Sequence, residues 1–235
     1  MHLQVVPSAA RPAVPAGVLG FAPEQGAARH LAAIGSLRTV PAGHTLFSEG
    51  EEARGIYEVT HGTVRLCKLL PDGRRQIVGF LSAGQILGLA PEGLYVFTAE
   101  AITPVKTRHY PRATLERLID DVPGFARRLL AVASHELQTA QEQMLLLGRK
   151  SAAERVASFL LQIADRSDDG SEEVEIPMTR IDIADYLGLT IETVSRTLSK
   201  LRQDRLIALT RSNRVKIRDR DELEQLAAGA AKTEL

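Results

Sequence analysis

The chain changes its periodicity once, at Pro123-Gly124, and that switch limits what it can become. Before it, short runs of β-forming residues alternate with glycines. After it, apolar residues recur at helical spacing. A chain built this way is expected to adopt an α+β fold, with strands and helices segregated along the sequence.

The strand-forming half runs from about Leu37 to Tyr110. Residues 45–47, 56–59, 63–68, 76–81 and 99–110 are candidate strands, punctuated by Gly43, Gly50, Gly55, Gly62, Asp72-Gly73, Gly79, Gly84 and Gly88. Short strands at near-regular spacing, with turn residues between them, predict an antiparallel β-roll of jelly-roll type. Residues 1–20 are rich in Ala, Pro and Val and lack periodicity, so a flexible arm is expected there.

Beyond the switch, Ala126, Leu130, Ala133, Leu137, Ala140, Met144 and Leu147 form an unbroken heptad stripe. Such a stripe is the seam of a coiled coil, and small Ala at alternate positions favours close pairing with a second copy as a parallel homodimer. A helix packed along its own β-roll would also carry an apolar stripe, usually a broader one. Gly148 ends this helix, and a second starts near Ser151. The acidic stretch at 165–175 reads as a surface loop.

Residues 179–207 are the most informative. Thr179 can cap a short helix over 181–187, Gly188 supplies a left-handed turn with Leu189 as a buried plug, and Thr190 can cap a second helix over 191–203. Two helices joined by a short glycine turn make a helix-turn-helix. In the second helix Ile191, Val194, Leu198 and Leu201 are expected to face the core, leaving Glu192, Ser195 and Arg196 together on the other side. Those three types suit base edges: Glu accepts from cytosine N4, Arg forks onto guanine, and Ser does either. An ordinary amphipathic surface helix would share the periodicity. Residues 206–209 and 214–217 read as a hairpin wing.

Net charge is zero, which taken alone argues against a nucleic-acid partner. Its distribution argues for one. From Arg196 to Arg218 there are eight Lys/Arg against Asp204 alone, a basic patch inside a neutral protein. Thr179, Thr190, Thr193, Lys200, Arg211 and Arg214 are the candidate contacts to the DNA backbone. The expected organisation is an arm over 1–20, a β-roll over 21–122, a dimerisation helix over 123–148 and a winged helix-turn-helix over 149–235.

The run from Arg180 to Leu201, reading RIDIADYLGLTIETVSRTLSKL, resembles the DNA-binding signature of the Crp/Fnr transcription regulators. PAGHTLFSEGE from Pro41 and IYEVTHGTVRL from Ile56 resemble the sensor β-roll of that family, in the right order along the chain. Glu192 followed by Ser195-Arg196 is similar to the Fnr and FixK branch. That resemblance implies an activator, with double-stranded DNA carrying an inverted repeat of TTGAT-type half-sites and RNA polymerase as its partners. It implies that Arg196 takes the guanine, Glu192 the opposing bases and Ser195 the outer thymine region. Ile191 stands where the cyclic-AMP branch has an arginine, which sets that branch's operator aside.

The departures are informative too. Fnr itself holds an oxygen-labile cluster on four cysteines, whereas Cys67 is the single cysteine here. Cyclic-AMP receptors carry a Gly-Glu and a later Arg that pair with ribose and phosphate. The matching stretches here are Gly88-Leu89 and Phe97-Thr98-Ala99, so the acidic and cationic partners are both missing. Burying a phosphate without a cation is costly. The resemblance to FixK therefore implies a regulator competent without a small effector or cofactor. Effector or haem gating is the alternative, with His61 and Cys67 the nearby pair a haem would use.

No catalytic residue or metal site is expected. Small β-rolls also occur as cupin enzymes, which cluster His and Glu around a metal. Residues 37–110 contain no paired-His motif, and Arg108-His109 reads as a solvated strand end. Cys67 lies beside Lys68, which could lower a thiol pKa, so a redox role is weighed against an inert strand thiol. No apolar run approaches a membrane span and no Lys/Arg-led apolar stretch opens the chain, so a cytoplasmic protein is expected.

Overall fold

Alternating apolar and polar residues lay the first half out as strands with one buried face. The computed structural model describes residues 35–90, 92–122, 124–166, 173–211 and 213–229. The strands are β1 (Ser36–Val40), β2 (Thr45–Phe47), β3 (Gly55–His61), β4 (Val64–Leu69), β5 (Arg75–Leu81), β6 (Ile86–Leu87), β7 (Thr98–Ala101) and β8 (Val105–Pro111). They form two antiparallel sheets, ordered β1-β8-β3-β6 and β2-β7-β4-β5. Phe47, Tyr57, Val59, Val64, Leu81 and Val105 fill the space between the sheets. Gly62, at φ +85°, makes the tight β3–β4 turn, where a Cβ would meet the Pro104 carbonyl oxygen at 2.3 Å.

Residues 99–110, read above as one strand, are two. The chain breaks at Ile102-Thr103-Pro104 because β7 and β8 belong to different sheets. The corner is held by Thr63, whose carbonyl accepts from Ile102 N at 2.8 Å and whose N–H donates to Thr103 Oγ1 at 2.9 Å. Arg108-His109 is not a solvated strand end either. His109 is buried and packs on Tyr57 at 4.7 Å between ring centroids, while Arg108 donates to Glu58 at 3.4 Å. Burial, and then the charge of Arg38, lower the basicity of His109.

Helix starts before the expected switch: α1 (Arg112–Asp121) packs Leu118 against Ile56, Ile86 and Phe125. The long α2 (Phe125–Arg149) follows, then α3 (Ala152–Ala164), whose Ser151 and Glu154 close a capping box. The remaining elements are β9 (Glu173–Glu175), α4 (Arg180–Leu187), α5 (Ile191–Gln203), β10 (Ile207–Arg211), β11 (Arg214–Ile217) and α6 (Arg220–Ala227). The expected loop over 165–175 ends in a strand, since β9 pairs with β11 through Val174 and Val215. Glu173-Val174-Glu175 is a two-residue alternation hidden among carboxylates. Phe159, Ile183, Leu187, Val194, Leu198 and Leu223 build the second core. The arm read over 1–20 lies outside the described residues. No helix among the described residues is long and apolar enough to cross a membrane.

Candidate nucleic-acid interface

Two N-caps, the first of them reciprocal, set the geometry of the helix pair. Thr179 Oγ1 accepts from Asp182 N at 3.1 Å, while Asp182 Oδ2 accepts from Thr179 N at 3.0 Å and from its hydroxyl at 2.7 Å. Helix α4 stops at Gly188, whose φ of +62° is the left-handed conformation that a C-terminal turn requires. Leu189 is half-buried against the second core. Thr190 then accepts from Thr193 N at 3.2 Å and starts α5.

Val194, Leu198 and Leu201 are buried under α5, but Ile191 is 41% exposed. It lies within about 20° of Leu198 around the helix axis. At the first turn, however, the core has already run out, and the expectation that Ile191 is a core residue is corrected. Glu192, Ser195 and Arg196 are all exposed within those first two turns. The Glu192 carboxyl is held below its usual range, first by its own backbone N–H at the helix start, then by the Thr190 hydroxyl, with Arg196 adding to both. It is therefore ionised at neutral pH and can only accept hydrogen bonds, which is what a cytosine amino group requires.

Around this face the sequence-predicted backbone contacts fall into three groups. Thr179, Thr190 and Thr193 are tied to the two N-caps. Lys200 is exposed in the last turn of α5. Arg211 and Arg214 are exposed and pair across the end of the β10–β11 hairpin. The hairpin is braced from β9, as Thr210 donates to Glu173 at 2.6 Å and Asn213 to Glu175 at 3.1 Å. Those two glutamates are part of the site that sequence reasoning missed.

Along α2, Ala126, Leu130, Ala133, Leu137, Ala140 and Met144 are exposed in the single chain. Leu130, Leu137 and Met144 each leave more than 60% of their surface uncovered. Leu147 departs from this stripe: it is half-buried against the second core, where its Cδ2 would lie 3.5 Å from a Cβ at Gly188.

The β-roll holds a cavity of about 260 Å³ lined by Leu66, Leu81, Leu89, Phe97 and, from α2, Ala133 and Glu136. Glu136 is the one charged residue among its described lining residues. Cys67 is buried, and desolvation, followed by the charge of Glu100, pushes its thiol up to about 11 against the pull of Arg65 and Arg75. Lys68 does not activate it, because its ammonium pairs with Glu49 at 2.8 Å. Among the described residues no group of His, Cys, Asp and Glu is placed to hold a metal ion.

Two protein families match the chain: the Crp-like helix-turn-helix domain over residues 154–226 and the cyclic nucleotide-binding domain over residues 37–122. The transcriptional activatory protein AadR of Rhodopseudomonas palustris is 46% identical over 78% of this chain and 77% of its own length. The nitrogen fixation regulation protein FixK of Bradyrhizobium diazoefficiens is 46% identical over 79% of each chain. Among solved structures, FixK2 from Bradyrhizobium japonicum superposes with a TM-score of 0.79 at 39% identity, covering 82% of this chain and 97% of that one.

Proposed function

The chain belongs to the Crp/Fnr family of transcription regulators, with FixK-type activators among its relatives, and we propose that it binds an inverted repeat of TTGAT-type half-sites as a homodimer. The observation that carries this reading is the exposed trio Glu192, Ser195 and Arg196 at the capped end of α5, beside the basic run. A recognition helix presents its N-terminal residues to the major groove. In this reading Arg196 takes the guanine, Glu192 the opposing bases and Ser195 the outer thymine. Thr179, Thr190, Thr193, Lys200, Arg211 and Arg214 hold phosphates.

The exposed apolar stripe on α2 supports dimerisation, because a second helix against it would bury Leu130, Leu137 and Met144. Leu147 lies at the edge of that seam. The composition of the cavity supports binding without a cyclic nucleotide. Leu89 and Phe97 stand in place of the ribose and phosphate partners, and Glu136 would repel a phosphate. Activation proceeds through contact with RNA polymerase, as for an activator of this family. The raised Cys67 thiol supports a reading with no redox role at that residue.

Selection of bound sites from a random duplex pool tests the proposal. Recovery of paired TTGAT-type half-sites is the expected result. A single unpaired site, or no enrichment, would refute it.

A further inference from the structure

The β4–β5 hairpin has two working faces. Leu66 and Leu81 point inward and wall the β-roll cavity. Arg65, Arg75 and Phe80 reach the other way, onto the first helix of the helix-turn-helix. Arg65 donates to Asp182 Oδ1 at 2.7 Å and Arg75 to the same oxygen at 2.8 Å. Arg75 also donates to Asp185 Oδ2 at 2.8 Å, and Gln76 donates to the Asp185 carbonyl at 2.8 Å.

Asp182 is the centre of this cluster, with its side chain 2% exposed. A carboxylate has about four acceptor sites. Thr179 occupies two of them through Oδ2 and the two hairpin arginines occupy the others through Oδ1. One side chain thus caps α4 and anchors the β-roll to it. Beneath the polar layer, Phe80 packs on Tyr186 at 5.1 Å and on Phe159 at 6.3 Å, extending the second core into the β-roll.

The covalent link between α2 and α3 is slight. Lys150 (ψ 142°) and Ser151 (ψ 167°) are extended, so the helix is interrupted and the backbone there forms a joint. Near the joint, Gln143 and Arg155 reach the carbonyls of Tyr186 and Leu187. The hairpin holds the same helix from another direction.

We propose that Arg65, Arg75 and Asp185, acting through Asp182, are positioning residues for DNA binding. They fix the angle of the helix-turn-helix on the dimerising body and hence the half-site spacing that two recognition helices can reach. The inference rests on the dimer and inverted-repeat reading above. It adds a residue set that touches no base or phosphate yet decides which spacing is bound.

The test compares an inverted repeat of TTGAT half-sites with the same duplex carrying one central base pair more, which moves the half-sites apart by about 3.4 Å. Wild type is expected to prefer one spacing by at least about tenfold, within the usual range for coupling between sites. Arg75→Gln should narrow that preference to about threefold and weaken the favoured complex by about tenfold, while sedimentation still shows a dimer. Asp185→Asn removes one partner of Arg75 without touching the Thr179 cap, and it should narrow the preference too if Arg75→Gln disturbs folding. Affinity for a duplex with one half-site should be unchanged in both. Equal affinity of wild type for the two spacings, or variants that keep its full preference, would overturn the proposal. A monomeric wild type, or one that binds neither duplex, instead overturns the reading on which it rests.

Discussion

The recognition helix and the β-roll cavity are two ligand-facing regions of one family fold, and they have fared differently. On α5 the polar groups at the N-terminal end are exposed and supported, with Thr190 capping the helix and Glu192 kept ionised. On the reading proposed above, Leu89 and Phe97 stand in the cavity where a cyclic nucleotide would be held, and the charged residue among the described lining residues is an acid. On that reading one fold keeps the chemistry of one site and not that of the other. The β4–β5 hairpin joins the two, with its inner face on the cavity and its outer face on α4.

The largest expected effect comes from cutting the comparison at its shared support. Leu137→Glu places a charge on the α2 stripe, where a dimer would bury two of them face to face. Because Leu137 is 61% exposed in the single chain, the monomer should still fold. Sedimentation should show monomer, and operator affinity should fall by about 10²–10⁴-fold with the loss of bivalency. A tight dimer would refute the seam.

On the recognition side, Arg196→Ala should cost about 1–3 kcal/mol per half-site and relax preference at the guanine. Titrations on matched and guanine-substituted duplexes read this directly, and unchanged discrimination removes the base-reading assignment. Thr190→Ala deletes the cap beneath the same face and should lower unfolding free energy by about 1 kcal/mol in denaturant melts. Full retention of stability would show that water replaces the cap at no cost.

The cavity side predicts small responses. Cyclic AMP added to ligand-stripped protein should strengthen operator binding by less than about tenfold, or roughly 1.4 kcal/mol, since a ligand shifts an equilibrium only by its differential affinity. Binding that appears only with the nucleotide breaks the contrast between the two regions. Cys67 should resist alkylation in native protein at pH 8, three units below its raised pKa of about 11, because the thiol remains protonated there. As pH rises through about 11 the folded thiol ionises, and labelling should accelerate. Rapid modification near neutrality would return Cys67 to the list of redox candidates.

Local patterns on the chain carried most of the DNA-facing half. The second helix occupies residues 191–203 as its spacing predicts, and its Thr190 cap and the Gly188 turn were legible because each depends on neighbours within a few residues. The long helix that carries the heptad stripe was legible for the same reason. Tertiary structure decided what periodicity does not encode, namely where a core ends and which sheet a strand joins. Ile191 has a core azimuth but projects beyond the core, Leu147 has a seam spacing and is already half-buried against the second core, and residues 99–110 divide between two sheets. His109 became buried because Tyr57 lies over it from another strand. The interlock on Asp182 lay furthest from view. Arg65 meets it across 117 residues of sequence, and Arg75 across 107. Helix propensity, caps and turns act within a turn or two of chain, so they can be read in order. A contact between distant residues exists only once the cores beneath them have packed, and no local spacing announces it.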